Sequence, residues 1–340
     1  MAMRVVMDAH RRFKDNHMTL DPRAARSAAQ LDARCKVVLP DQGECFEVFG
    51  DRIRYILTSE DTNAQFSLLE AETPAGSGPP LHVHAREDGF FFVQSGHYEF
   101  EIGGERIEAR PGDLVFAPRD VPHTFWVGGN VPGRVLTCVW PGGYDHFFRS
   151  CSKEFDTGAP DVHKISRIGV EHGVTFLTPE GVADHMAQRQ CDASLQTRIV
   201  HESEGGRAAV GDSQVRFILT QADTGGACAL LELTTQPGSN VALHAHSHED
   251  EVFIVQKGCY RFQLGEKHIE AGPQTVIYAA RGVSHSFQVE GEESGHMLVL
   301  TMPGAFEEYW RRCVQFGIAP HSGEAEQLDE EYGLSHKPAL

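Results

Sequence analysis

The sequence predicts an all-β chain built as two tandem small sandwiches or barrels with short flanking helices. Three observations predict this. Short alternating or apolar runs recur at regular spacing, separated by Gly, Pro and Asp turns. The whole pattern occurs twice. Both copies carry a His-x-His pair where a strand is expected, and such a pair points to one side of the strand.

The second copy holds the fuller set. Residues 244–251 read His-Ala-His-Ser-His-Glu-Asp-Glu. His82 matches His244 at an offset of 162 (244 − 82), as do His84 with His246 and His123 with His285. Arg54 with Arg216, Thr58 with Thr220, Asp61 with Asp223 and Pro141 with Pro303 keep the same offset. The run from Gly76 to Gly142 aligns with Gly238 to Gly304 without a gap. Where the second copy has Glu251, the first has Gly89.

In chain order, residues 1–42 form a polar, Ala/Arg-rich extension. One short helix is expected over Pro22 to Arg34, packed on the outside of the first domain. The first barrel is expected over 43–150. Its strands are Asp51 to Thr58, Gln65 to Glu70, Leu81 to His84, Phe90 to Val93, His97 to Ile102, Arg106 to Ala109, Leu114 to Ala117, Thr124 to Val127 and Arg134 to Val139. Pro74 to Pro80 is a loop, and Gly103-Gly104 is a hairpin turn. A short helix starts between Gly142 and Phe148. Residues 151–199 read as a connector. Its helix spans Pro179 to Gln188, with Thr178 as cap and Pro179 in the first turn. The second barrel is expected over 200–315, with Phe306 to Val314 repeating the terminal helix of the first half. The tail, 316–340, carries a last polar helix from Gly323 to Tyr332.

Thirty Lys and Arg stand against 48 Asp and Glu, a net charge of −18. A nucleic acid or an anionic membrane needs basic patches, so neither is an expected partner. The N-terminus is charged where a leader needs an apolar run, and no span reaches about 20 apolar residues. None of the eight cysteines forms a C-x-x-C pair. Free thiols and a cytoplasmic location are the corresponding expectations. A homo-oligomer is compatible with all of this.

Two strands and a turn explain the spacing of the second cluster. Glu251 is five residues past His246, an odd step. It joins the two histidines only if the chain turns over Ser247 to Asp250 and Glu251 opens the next strand. The ligand set is then His244, His246, Glu251 and His285. Buried imidazoles and a carboxylate need partners, and one divalent transition metal satisfies all four. His248 lies in the turn and is expected to be exposed.

These stretches resemble the cupin superfamily, whose first motif is G-x5-H-x-H-x3-4-E-x6-G. Gly238, His244, His246, Glu251 and Gly258 match it in full. The second motif is G-x5-P-x-G-x2-H-x3-N. Gly112, Pro118 and His123 match it in the first copy, with Asp120 and Val127 departing; Gly282 and His285 match in the second, where Gln274 and Ala280 depart. The resemblance covers roughly residues 43–150 and 205–315 and implies two jelly-roll-like barrels, a bicupin. The layout looks most like the bacterial two-cupin quercetin dioxygenases, through Pro79 to His84, Val121 to Phe125 and the Pro-Gly turn entering a Phe-rich helix.

That likeness implies a metal-dependent dioxygenase opening a flavonol-like or other enolisable aromatic ring, with a small-molecule substrate and dioxygen as partners. Fe(II) or Mn(II) is favoured, with Ni, Co, Cu and Zn open. Cupins also include decarboxylases, isomerases, lyases and non-catalytic binders of small ligands, so a non-oxidative enzyme or a binder is the alternative. Glu251 is the candidate catalytic base: it can release one ligand bond and accept a proton. The first copy keeps His82, His84 and His123. It is either a three-histidine centre, as in cupins resembling gentisate dioxygenase, or a ligand-free barrel. Glu87 and Asp88 are not evident replacements, because Glu249 and Asp250 occupy the same places beside an intact glutamate. Strand parity turns Phe253 and Val255 inward with Glu251, and by repeat Phe91 and Val93. Phe125 and Phe287 follow from His123 and His285. Such walls suit a planar aromatic.

Overall fold

The computed structural model describes residues 31–156, 160–189 and 195–336. Two compact units part after Gln42 and after Ser203. Among the described residues the first unit holds 43–156, 160–189 and 195–203, and the second holds 31–42 and 204–336. Each unit consists of a seven-stranded and a five-stranded sheet, with the recorded pairings antiparallel.

In the first unit the large sheet runs Arg198–Val200, Leu114–Ala117, Asp88–Ser95, Gly133–Trp140, Ser67–Thr73, Asp51–Leu57 and Glu44–Val48. The small sheet runs Val174–Phe176, His82–His84, His123–Val127, Tyr98–Ile102 and Glu105–Ala109. Their inward faces share one core that includes Ile53, Leu69, Val93, Val115 and Val135 from the large sheet and Tyr98, Phe100 and Val127 from the small one. Alternation sets which residues these are: along Tyr98–Ile102, Tyr98, Phe100 and Ile102 are buried while Glu99 is exposed.

The second unit repeats this order with Lys36–Val38, Val276–Ala279, Asp250–Lys257, Gly295–Met302, Ala229–Thr235, Ser213–Leu219 and Gly206–Val210 in the large sheet. The small sheet holds Lys267–Ala271, Cys259–Leu264, His285–Glu290, Asn240–His246 and Leu334–Ser335. The motif glycines have a backbone reason. Gly96 and Gly258 have φ of +89° and +84°, and a Cβ there would approach the Gly133 and Gly295 Cα atoms to 2.6 and 2.9 Å.

Each large sheet is completed by the strand that precedes the other repeat. Lys36–Val38 pairs with Val276–Ala279 of the second unit, and Arg198–Val200 pairs with Leu114–Ala117 of the first. Lys36–Val38 of the N-terminal extension thus belongs to the second unit. The helix expected over Pro22 to Arg34 lies mostly outside the described residues; residues 31–34 end in a turn. The connector also carries more than one helix. Val162–Glu171 is helical with Asp161 capping the His163 and Lys164 amides, and Val174–Phe176 joins the small sheet. The next helix is Gly181–Gln188, and Thr178 does not cap it through its side chain. The helices after the barrels are Tyr144–Phe155 and Glu307–Phe316, and the last is Glu326–Glu331. The seven cysteines among the described residues are free thiols. No described helix is long and apolar enough to cross a membrane.

Candidate metal centres

In the second unit His244 and His246 lie near the end of one strand, and Glu251 lies near the start of the next. His285 opens a third strand and stands directly opposite His244 in the pairing register. All four side chains are buried, and one donor atom from each lies within 4.8 Å of the others. The turn between the first two strands leaves Ser247 and His248 exposed.

The outer ring nitrogens are already committed. The His244 Nδ1 contacts the Ala242 carbonyl at 2.8 Å and the His285 Nδ1 contacts the Val283 carbonyl at 3.1 Å. A carbonyl only accepts, so each Nδ1 carries the proton and each Nε2 presents a lone pair inward. The inward atoms crowd: His244 Nε2 to His246 Nε2 is 3.2 Å, His246 Nε2 to Glu251 Oε2 is 3.2 Å, and His285 Nε2 to Glu251 Oε2 is 2.9 Å. The last approach lacks hydrogen-bond geometry, so His285 Nε2 and Glu251 Oε2 are buried without a hydrogen-bond partner. Lone pairs facing a carboxylate repel unless a cation stands between them. The donor set therefore fits a divalent metal.

Electrostatics of the centre without metal point the same way. Burial would lower the His246 imidazole, but the Glu251 carboxylate, helped by Glu249, raises it to about 9. Burial would raise Glu251, and His246 and His285 instead hold it well below the usual carboxylate range. Burial, with His321, His285 and His246 nearby, keeps His244 well below its ordinary value. The centre thus recruits a positive charge, here a proton on His246.

The first unit keeps the same imidazole geometry without the carboxylate. His123 stands opposite His82 in the register. The His82–His84, His82–His123 and His84–His123 ring separations are 5.1, 4.5 and 5.3 Å; the second centre has 5.0, 4.4 and 5.4 Å. Pro80 and Val121 carbonyls hold the His82 and His123 Nδ1 atoms at 2.8 and 2.9 Å. Burial first, then the neighbouring imidazoles, lowers His123 to about 3 and His82 well below its ordinary value. The three donors lie within 4.8 Å of one another, so this set too can hold a metal, with one protein ligand fewer.

Both copies answer what the acids after the second histidine do. Glu87 Oε2 lies 3.3 Å from the His84 Nδ1, and Glu249 Oε2 lies 3.6 Å from the His246 Nδ1. Both face the outer nitrogen; Glu87 hydrogen-bonds it and orients the His84 ring, while Glu249 stands within ion-pair reach of His246 without a hydrogen bond. Asp88 accepts from the Arg119 amide at 2.7 Å and its guanidinium at 2.6 Å; Asp250 does the same for Arg281, at 2.8 and 3.0 Å. These pairs tie the ligand turn to the loop before the last histidine. Sequence reasoning left Glu87 and Glu249 without a role, although their retention in both copies was the signal.

A cavity opens beside the three histidines of the first unit. Phe91, Phe125 and Gly89 line it. Val93 does not: it is buried in the core. Phe49, Phe147, Phe148 and Phe176 complete an aromatic wall, and Tyr144 stands edge-on to His84 at 4.6 Å. The matching residue in the second unit is Phe306, 4.3 Å from His246 (144 + 162 = 306). There Phe253 lies 5.5 Å from His285 and 6.0 Å from Phe287, and Val255 is fully buried. Tyr144, Phe49 and Phe176 were missed because they come from outside the two motifs.

A cupin domain family model matches residues 69–140 and 231–301, each stretch spanning one centre. The chain carries two cupin domains. This bicupin is 34% identical over 80 residues to an uncharacterized protein of Methanocaldococcus jannaschii, covering 24% of the chain and 63% of that protein. It is 25% identical over 108 residues to quercetin 2,3-dioxygenase of Bacillus subtilis, 32% of each chain. The match thus spans less than two thirds of either relative. Oxalate decarboxylase of Bacillus subtilis superposes with a TM-score of 0.56 at 14% identity, covering 97% of this chain and 96% of that one, a likeness of fold.

Proposed function

We propose that this bicupin is a metal-dependent dioxygenase that opens the ring of a flavonol-like or other enolisable aromatic. The observation that carries the reading is the buried set of His244, His246, Glu251 and His285, with Phe253 5.5 Å from His285 and 6.0 Å from Phe287. Phenylalanine faces accept a planar ring by stacking and exclude water from it. The partial match to a quercetin 2,3-dioxygenase supports the same class.

His244, His246, Glu251 and His285 would hold the metal of the second unit. Their contacts of 2.9–3.2 Å are close to the roughly 3.0 Å between adjacent ligands set at right angles on bonds of about 2.1 Å. Three imidazoles and one carboxylate suit Fe(II) or Mn(II), and Ni, Co, Cu and Zn fit the same donors. Such a metal would supply a positive charge that favours the ionised form of an enolic hydroxyl. Glu251 is the base in this proposal: its carboxylate takes the hydroxyl proton, the O–H pair stays on the substrate oxygen, and dioxygen is the oxidant. His244, His246 and His285, held by their carbonyl and carboxylate partners, keep their rings in place while Glu251 moves.

The first unit is the rival location, because the described cavity is there and Gly89 leaves one position unfilled by protein. The test is dioxygen consumption by Fe(II)- or Mn(II)-loaded protein given a flavonol. Stoichiometric uptake with ring-opened product is expected. Turnover of the same compounds under strict anaerobiosis would instead assign a non-oxidative lyase or isomerase, and tight binding with neither would assign a binder.

A further inference from the structure

The C-terminal segment repeats the connector. Residues 319–336 match 159–176 at an offset of 160 (319 − 159): Pro320 with Pro160, Leu328 with Ile168, Glu331 with Glu171, Gly333 with Gly173 and Leu334 with Val174. The register agrees, for Val174 pairs with His84 and Leu334 with His246. The Gly173 and Gly333 carbonyls accept from the Ala85 and Ser247 amides at 2.8 and 3.0 Å. The segment thus ends in the same pairing on both ligand strands, after a helix of ten residues in the first unit, Val162–Glu171, and six in the second, Glu326–Glu331.

Among the positions that differ, three carry metal-ligating side chains. His321, Asp329 and His336 stand where the first copy has Asp161, Gly169 and Phe176. The same pairing forms without them in the first unit, so that pairing alone does not account for their presence. One donor atom from each lies within 4.8 Å of the others. We propose that His321, Asp329 and His336 form a further binding site for a divalent transition metal, which fastens this segment over the second centre.

The residues have the chemistry for it. Two imidazoles and one carboxylate leave coordination positions open and suit Zn(II), Co(II) or Fe(II). The Asp329 carboxylate is buried, fixed by the Tyr309 hydroxyl, which donates to Oδ1 at 2.6 Å. Its other oxygen is hydrogen-bonded to His336 Nε2 at 2.6 Å, so a metal would take the place of the proton between them. The His321 Nδ1 is buried with no hydrogen-bond partner among the described residues. The His321 backbone is left-handed, φ +57°, a conformation uncommon for histidine. That backbone is anchored by its amide donating to the Tyr309 hydroxyl at 2.8 Å. The His321 ring lies stacked on the ligand His244 at 4.1 Å. His336 is a third exposed, which gives an ion a way in.

The test needs neither substrate nor dioxygen, so it stands or falls apart from the dioxygenase reading. Metal-free full-length protein is titrated with Zn(II) by calorimetry, alongside His336→Ala and His321→Asn. Asparagine tolerates the left-handed backbone, and His336 is exposed enough to truncate safely. Asp329→Asn is the third variant, since it keeps an acceptor for Tyr309. Wild type should bind one equivalent more than each variant, or bind its last equivalent at least tenfold more tightly. Amide exchange over Leu334–Ser335 should slow when that equivalent fills in wild type only. Superimposable isotherms for wild type and all three folded variants would overturn the proposal.

Discussion

At the residue scale, position 251 and its counterpart 89 decide most of the chemistry. Glu251→Gln keeps an oxygen and the volume but loses the charge that holds the proton on His246. If Glu251 is the base, turnover falls by roughly 10²–10⁴ while metal content falls modestly. If it only holds metal, excess metal restores activity. Full activity with the second centre shown empty would move the chemistry to His82, His84 and His123. At position 89 the space is tight. A Cβ would meet Val139 Cγ1 at 3.0 Å and the Cys138 carbonyl at 3.1 Å, rather than Phe91 or Phe125. Gly89→Glu is therefore expected to cost roughly 1–3 kcal/mol of stability through crowding. It should still tighten metal in the first unit, because Glu251 occupies the matching position opposite Thr301. A folded variant with no gain in metal would show that the first centre has lost more than one ligand.

At the scale of elements, the exchanged edge strands make a prediction that chain order alone would reverse. Removing residues 1–42 takes Lys36–Val38 from the edge of the second unit's sheet, where Val38 is buried. A buried valine contributes about 2 kcal/mol, and the exposed edge loses its ladder bonds. Amide exchange should rise in Val276–Ala279 and stay unchanged in Leu114–Ala117, which keeps Arg198–Val200. The opposite pattern would contradict the pairing. The strands themselves were readable, because alternation and Gly/Pro turns are local signals. Val174–Phe176 and Leu334–Ser335 were not: three- and two-residue strands carry almost no periodicity, and only pairing with a ligand strand makes them strands.

For the whole molecule, the two centres should differ in affinity. The tetrad should hold close to one metal per chain against a chelator, and the three-histidine set should release its metal first. Two equivalent, chelator-resistant metals would contradict the weight placed on Gly89. Stability should follow pH in a matching way. His82, His123 and His244 have folded-state pKa values below the ordinary 6.5. The unfolded chain therefore takes up protons first as pH falls, and metal-free protein loses stability from about pH 6.5 downward. Glu251, depressed below 4.5, contributes above that value and loses its contribution as pH falls further. His246 has the opposite sign: raised to about 9, its contribution is complete below 6.5 and disappears as pH rises through 9. Urea denaturation of metal-free protein across this range checks both limbs; a flat profile below pH 6.5 would show that the imidazoles are not buried as described.

The sequence by itself determined the duplication, the all-β class and the seven clustered residues, because each rests on spacing within one stretch or between two that match at a fixed offset. His244 and His246 share a strand face, and Glu251 reaches them across a single turn. Tertiary structure alone decided which outer nitrogen each acid touches, why Gly89 is tight, and which barrel each edge strand completes. It also brought Tyr144 to His84 and His321 onto His244. These contacts join residues that are distant in the chain and obey no period. Sheet pairing and close packing set them, and neither acts until the chain has closed on itself.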